Sequence, residues 1–244
     1  MCPLFLQEHI LSIPKLSPYD IPSFSATNLV DWRPDPARAV LLVHDMQRYF
    51  LEKFADLSQS PVAPMVRTIA TLRAQCDAVG VPVVYTAQPV DQPAGDRALF
   101  NDFWGPGLTD PVHHAAQPVI EALAPKADDV VLTKWRYSAF QRSDLRARMR
   151  EWNLDQLIIC GVYAHIGCMA TALEAFMQDV QPFMIIDELG DFSQADHQMA
   201  IDYVARRCGV SLTSEQTIRA LNAQGAALAL SPRHGLSFPG SVPW

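Results

Sequence analysis

No stretch of this 244-residue chain approaches the roughly 20 consecutive apolar residues that a membrane-spanning helix requires. Its amino terminus also lacks the basic segment and long apolar run of an export signal. Both absences point to a cytoplasmic protein. Basic residues are few and scattered: 19 Lys and Arg against 26 Asp and Glu leave a net charge of −7. The nearest approach to a basic cluster, Arg142 to Arg150, is interrupted by Asp144 and reads as a solvated helix face, which argues against nucleic-acid binding. The five cysteines are odd in number and widely spaced, so reduced thiols fit better than a disulfide framework. There is no glycine-rich phosphate loop and no dinucleotide fingerprint. His44 and His165 lack the company that a zinc site would need, so neither cofactor nor metal is expected.

What is present is the composition of an ordinary globular protein, 49% hydrophobic and 18% charged, with enough chain for one large α/β core. The expected organisation is a proline-rich arm over residues 1–38, one domain over 39–222 and a tail over 223–244. Six short apolar runs read as buried strands: AVLLVHD from Ala39, VPVVYTAQP from Val81, DVVLTK from Asp129, LIIC from Leu157, PFMIID from Pro182 and VSLT from Val210. Amphipathic segments alternate with them. Pro61–Val79 carries apolar residues at three- and four-residue spacing and is closed by Gly80. Asp144–Trp152, Cys168–Val180, Ser193–Cys208 with Ser193 as N-cap, and Ser214–Leu221 follow. This alternation predicts a three-layer αβα, Rossmann-like sandwich with a mainly parallel sheet of about six strands. The long Pro- and Gly-containing connection from Asp91 to Lys126 is expected to cover an active site.

Three strand ends carry chemistry. The first strand ends in Asp45, the third in Lys134, and the fourth runs into the turn GVYAHIGCM, Gly161 to Met169. In open α/β sheets ligands bind outside the carboxyl ends of the strands. Taken singly, Asp45 could be a loop carboxylate, Lys134 a solvated lysine and Cys168 a small apolar helix residue. Their joint placement at one sheet edge makes a site.

The motifs AVLLVHDMQRYF, VVYTAQP, DFWGPG, LTKWRYSAF and GVYAHIGCMATALEAFMQDVQPFMIID, in this order over roughly residues 25 to 215, closely resemble the isochorismatases of the cysteine-hydrolase superfamily. The superfamily's triad of Asp, Lys and nucleophilic Cys is matched by Asp45 and Lys134, but Gly167 stands where the Cys would be. The resemblance therefore implies a chemistry without a nucleophile: hydrolysis of the enolpyruvyl vinyl ether of isochorismate to 2,3-dihydro-2,3-dihydroxybenzoate and pyruvate, by general acid catalysis, in siderophore biosynthesis. Asp45 would be the acid, in an apolar, covered setting that favours its protonated form, with Lys134 pulling the other way. Gln88, Arg97, Tyr137, Tyr163 and Gly167 would hold the substrate's carboxylates, and Phe50 and Trp104 would wall its ring. The glycine at 167 is expected to leave room for that ring.

The same chemistry on 2-amino-2-deoxyisochorismate, as in phenazine pathways, is the close alternative, and a cysteine-dependent amidase using Cys168 the distant one. The resemblance further implies a freestanding hydrolase without an aryl carrier domain, and a homodimer or higher homo-oligomer. Glu188, where the family favours small residues, is expected at the pocket rim or a subunit contact.

Overall fold

The structure is a computed structural model and describes residues 12–23 and 27–230. Its centre is one six-stranded sheet, all of whose pairings are parallel: β1 (Ala39–His44), β2 (Val83–Ala87), β3 (Val130–Thr133), β4 (Gln156–Val162), β5 (Gln181–Gly190) and β6 (Val210–Leu212). The strands lie in the order β3-β2-β1-β4-β5-β6, the doubly wound arrangement in which the chain reverses its direction of travel between β1 and β4. This is the three-layer Rossmann-like fold that the alternation of elements predicts.

The layers follow from which side chains each strand sends to each face. In β1 every residue is buried; Leu41 and Val43 face one way and Val40 and Leu42 the other, as a strand covered on both faces requires. Leu41 and Val43 join Met65, Ile69, Leu72 and Cys76 of a long helix. In chain order the helices are α1 (Arg48–Leu51), α2 (Val62–Val79), α3 (Ala94–Arg97), α4 (Phe100–Trp104), α5 (Leu145–Glu151), α6 (Met169–Met177), α7 (Gln194–Arg207) and α8 (Ser214–Leu230). The long helix is α2, and α8 shares its face through Leu221. On the opposite face Val40 and Leu42 pack with Leu145 and Met149 of α5, Ala172 of α6 and Ala200 and Val204 of α7. Ser193 caps α7 by accepting from the Asp196 amide at 3.1 Å.

Four details differ from the sequence reading. First, α8 continues to Leu230, beyond the expected end at Leu221, while the rest of the expected tail lies outside the described residues. Second, the Asp91–Lys126 connection holds α3, α4 and three short 3-10 turns. Third, β5 runs through Glu188 to Gly190 rather than stopping at Asp187. It does so across a bulge, because Ile159 pairs with Met184 but Gly161 pairs with Leu189.

The fourth concerns Glu188, which lies within that bulge. It is fully buried, both of its carboxyl oxygens lack a hydrogen-bond partner, and it stands among Cys76 and Cys160 on the α2 face, neither at the rim nor exposed for a subunit contact. Burial pushes its carboxyl well above the ordinary glutamate range, with Asp187 adding to the shift.

The described part of the arm lies over the domain. Leu16 bridges to Phe54, with its amide donating to the Lys53 carbonyl and its carbonyl accepting from Ala55, both at 2.8 Å. Asn28 hydrogen bonds in both directions to the Ser211 backbone and so covers the free edge of β6.

Glu188 supplies a pH test. Protonated in the fold but ionised in the unfolded chain above the ordinary glutamate range, it makes the unfolded state bind fewer protons there, so stability falls as pH rises. Glu188→Met is expected to be more stable than wild type by about 1–3 kcal/mol near pH 8 in urea unfolding, from removing an unpartnered buried polar group. The gain should shrink toward about pH 4. Parallel pH profiles for the two proteins would contradict this account of Glu188.

Candidate active site

The crevice at the reversal between β1 and β4 is where a doubly wound sheet binds ligands. Asp45 is the first residue after β1. Its left-handed backbone, φ +50°, turns the side chain up from the sheet edge, a conformation that aspartate tolerates better than most residues. One oxygen accepts from Lys134 Nζ at 2.5 Å and the other from the Thr86 hydroxyl at 2.7 Å; the Thr86 hydroxyl in turn accepts from the Asp45 amide at 3.1 Å. Asp45 and Lys134 are 4% and 5% exposed, so this ion pair is shielded from solvent and feels a stronger field than a surface pair would. With donors on both oxygens, Asp45 has the contacts of a carboxylate. Lys134 is aimed by its own amide, which extends β3 by donating to the Ala87 carbonyl at 2.9 Å.

The pair opens on a small cavity at the sheet edge. Every residue that the resemblance assigned to the acid-catalysed site borders it: Asp45, Lys134, Gln88, Arg97, Tyr137, Tyr163, Gly167, Phe50 and Trp104; Cys168 and Glu188 do not. Arg97, on α3 in the expected cover, is 4% exposed; its Nε donates to the Gly105 carbonyl at 2.7 Å, and no carboxylate among the described residues pairs with it. Burial draws it below the ordinary arginine range. The Tyr137 hydroxyl accepts from Trp104 Nε1 at 2.8 Å, which leaves its own proton free to donate. Tyr163 differs: its hydroxyl already donates to the Phe50 carbonyl at 2.8 Å, so its contribution to the cavity is wall rather than donor. Gln88 is held by its backbone. Its amide donates to Gln47 Oε1 at 2.7 Å and its carbonyl accepts from Gln47 Nε2 at 3.0 Å.

After β4 the chain passes through a single π-helical turn, Ala164–Cys168, into α6. Two glycines make this turn possible. At Gly161 φ is +111°, and a Cβ would lie 2.1 Å from the His44 carbonyl oxygen. At Gly167 a Cβ would lie 2.2 Å from His44 Cε1. The space beside Gly167, expected to be left for a ligand ring, is thus filled by the protein's own His44. That imidazole is wholly buried, and its Nδ1–H donates to the Val162 carbonyl at 2.8 Å. Burial draws it down to about 4 against the opposing pull of Asp45, so it is neutral at ordinary pH.

Cys168 is buried at the start of α6 in the apolar core, and burial pushes its thiol well above the ordinary range, so it offers no thiolate. His165 leans on Phe192 and pairs with Asp191 at 2.5 Å; burial draws the ring down, but that hydrogen bond and charge outweigh it and leave it raised. Among the described residues no group of three or more His, Cys, Asp or Glu side chains is placed to hold a metal ion, and no helix is long and apolar enough to cross a membrane.

Several cavity residues were not singled out from the sequence. Tyr49, Phe100, Ile166 and Phe192 wall the cavity, and Ile13 enters it from the arm. Thr86 and Gln47, which hold Asp45 and Gln88 by hydrogen bonds, lie inside quoted motifs. Ile13 had no such signal, because its place depends on the arm's distant contacts.

A doubly wound α/β fold with a buried carboxylate–lysine pair and an arginine without a counter-ion among the described residues, all bordering one cavity at the sheet edge, is the arrangement of an enzyme site for a small molecule. The isochorismatase domain model matches residues 39–216, and the chain belongs to that family. It is 50% identical over 210 residues to the isochorismatase of Bacillus subtilis, covering 85% of this chain and 66% of that protein's length. It is 48% identical over 221 residues to enterobactin synthase component B of Escherichia coli K12, covering 89% of this chain and 76% of that one. To the phenazine biosynthesis protein PhzD1 of Pseudomonas aeruginosa it is 46% identical over 208 residues, covering 84% and 98%. Among solved structures, a cysteine hydrolase from Pseudomonas syringae pv. phaseolicola superimposes with a TM-score of 0.73 at 27% identity, over 82% of this chain and all of that one.

The turn is open to a direct test. Gly161→Ala combines a positive φ with a collision against backbone, so it is expected to destabilise the fold by about 3 kcal/mol or more in urea unfolding. A loss below about 1 kcal/mol would mean that the turn can relax around a side chain.

Proposed function

We propose that the protein hydrolyses the enolpyruvyl vinyl ether of isochorismate to pyruvate and 2,3-dihydro-2,3-dihydroxybenzoate, as a step in siderophore biosynthesis. The observation that carries this reading is a carboxyl and an unpaired guanidinium, both buried, facing one cavity in which the position after the fourth strand offers no nucleophile. Vinyl ether hydrolysis needs an acid and water only. In this reading the substrate's two carboxylates engage Arg97 and draw Lys134 off Asp45. Their negative potential then favours the protonated form of Asp45. Asp45 transfers its proton to the methylene carbon, the π electrons forming the new C–H bond and leaving an oxocarbenium ion. Water adds to the oxygen-bearing carbon of that ion and gives a proton back to the Asp45 carboxylate; the hemiketal then collapses, its hydroxyl proton passing to the ring-borne oxygen, which leaves as an alcohol as the carbonyl of pyruvate forms. Arg97 binds a carboxylate through its planar fork, Tyr137 donates to the substrate, and Phe50, Trp104 and Tyr163 exclude water around it.

Residues 39–222 are read as the hydrolase domain and the preceding segment as an arm that closes one side of its cavity. The family resemblance supports a cytoplasmic homo-oligomer, a dimer or larger. One further substrate is supported by the near-complete coverage of PhzD1: 2-amino-2-deoxyisochorismate, with the same steps. A cysteine-dependent amidase is disfavoured by the burial and raised thiol of Cys168.

Pyruvate release from isochorismate and from its amino analogue tests these readings. Asp45→Asn is expected to lose about 10²- to 10⁴-fold in kcat. Arg97→Gln should raise KM by about 10- to 100-fold, as loss of a charged, bidentate contact does, and Cys168→Ala should stay within about threefold of wild type. An active Asp45→Asn beside a dead Cys168→Ala would overturn the acid mechanism. Absence of pyruvate from both substrates would remove the assigned activity.

A further inference from the structure

His44 is a buried titratable group that the proposed chemistry does not use. It ends β1 directly before Asp45, is 0% exposed, and borders the cavity. Its Nδ1 lies 3.7 Å from Asp45 Oδ2, and its Nε2, with the Tyr137 backbone near it, makes no hydrogen bond of acceptable geometry among the described residues. An imidazole with an unsatisfied buried nitrogen costs stability relative to an apolar residue of similar size. Its presence in a parallel strand otherwise built from Ala, Val and Leu calls for a reason.

That reason lies in what faces it. A Cβ at Gly167 would stand 2.2 Å from Cε1, 2.8 Å from Nε2 and 3.1 Å from Nδ1 of His44, so the edge of the ring occupies the volume of a side chain at 167. Neither partner is free to retreat. The His44 backbone is locked in the sheet between Thr86 and Gly161, and its ring is tethered to the Val162 carbonyl. Gly167 is held from the other side, because its carbonyl accepts from the Thr171 hydroxyl at 2.7 Å, which itself accepts from the Ala139 amide at 3.0 Å.

We propose that His44 and Gly167 are a size-matched pair in which His44 is a positioning residue: the imidazole takes the place of a side chain at 167, bars any nucleophile from that position, and supports Asp45 from the side. The inference rests on the reading of Asp45 as the acid. It accounts for the glycine at 167, where any Cβ would meet the ring. The cavity needs backbone there because the volume behind it is already occupied. The ring also stands beside Asp45, with Nδ1 3.7 Å from Oδ2, so removing it would leave a void next to the acid.

The test is a double-mutant cycle of wild type, His44→Val, Gly167→Ala and the double variant, read by kcat and KM for pyruvate release and by thermal midpoint. His44→Val is expected to lower kcat at least tenfold with KM changed less than threefold, a split that loss of substrate contacts would not give. Gly167→Ala is expected to lose at least a hundredfold in kcat/KM and to melt earlier than wild type. The double variant should recover at least tenfold over Gly167→Ala and melt later than it does. A double variant no better than Gly167→Ala, or losses that simply add, would overturn the pairing. A His44→Val variant with unchanged kcat would overturn the positioning role. Should Gly167→Ala fail to fold, a soluble, folded double variant supports the pairing and an insoluble one contradicts it. Should wild type release no pyruvate, the thermal cycle still decides the pairing while the catalytic reading fails separately.

Discussion

The structure depends on one interaction placed where a sheet of this topology can hold it, the ion pair of Asp45 and Lys134 at the carboxyl ends of β1 and β3. Two charges removed from water are expensive, and their attraction offsets that cost only when geometry is close and the remaining donors and acceptors are satisfied. The fold meets these terms by rigid means. Thr86 fills the second oxygen of Asp45, and the sheet ladder aims Lys134 through its own amide. A pair so held is a poor source of stability but a good reservoir for a reaction. In the proposed reaction, a bound dianion would change the field on both members of the pair.

Around that pair the cavity is assembled from parts of unlike origin. Gln88 comes from the end of β2 and Tyr137 from the segment after β3, whereas Arg97 and Trp104 come from the cover. The turn after β4 adds Tyr163 and Gly167, and the arm adds Ile13. The arm is tied in by a directional chain. His197 Nε2 faces the Ile186 carbonyl at 3.1 Å and must donate to it, so its Nδ1 accepts from the Tyr19 hydroxyl at 3.2 Å, and the Tyr19 oxygen accepts from the Asp191 amide at 2.7 Å. Asp191 in turn carries His165 of the π turn. The arm and the turn, both of which line the cavity, therefore share one hydrogen-bond network.

Much of the fold was legible in the sequence because a doubly wound sheet writes its buried strands as short apolar runs, and because Asp45 and Lys134 interrupt that pattern at the strand ends. The parts that were not legible are those fixed by packing between distant segments. Glu188, just past the expected end of the fifth strand, was expected at the pocket rim or a subunit contact; the bulge in β5 instead carries it inward, where burial pushes its carboxyl well above the ordinary range. His44 could be seen beside the acid, but its relation to Gly167 spans 123 positions of chain and depends on the ring's orientation. Arg97 was found through its motif, although its burial without a counter-ion is a property of the folded cover alone.

The central claim is that an anionic ligand converts Asp45 from a lysine-bound carboxylate into a protonated acid. Infrared difference spectroscopy with and without an inert, saturated ether analogue of the substrate measures this directly, with Asp45→Asn as the control. The account predicts that binding adds a protonated-carboxyl band and removes a carboxylate band, and that both changes vanish in Asp45→Asn. A bound enzyme whose Asp45 remains ionised would contradict it.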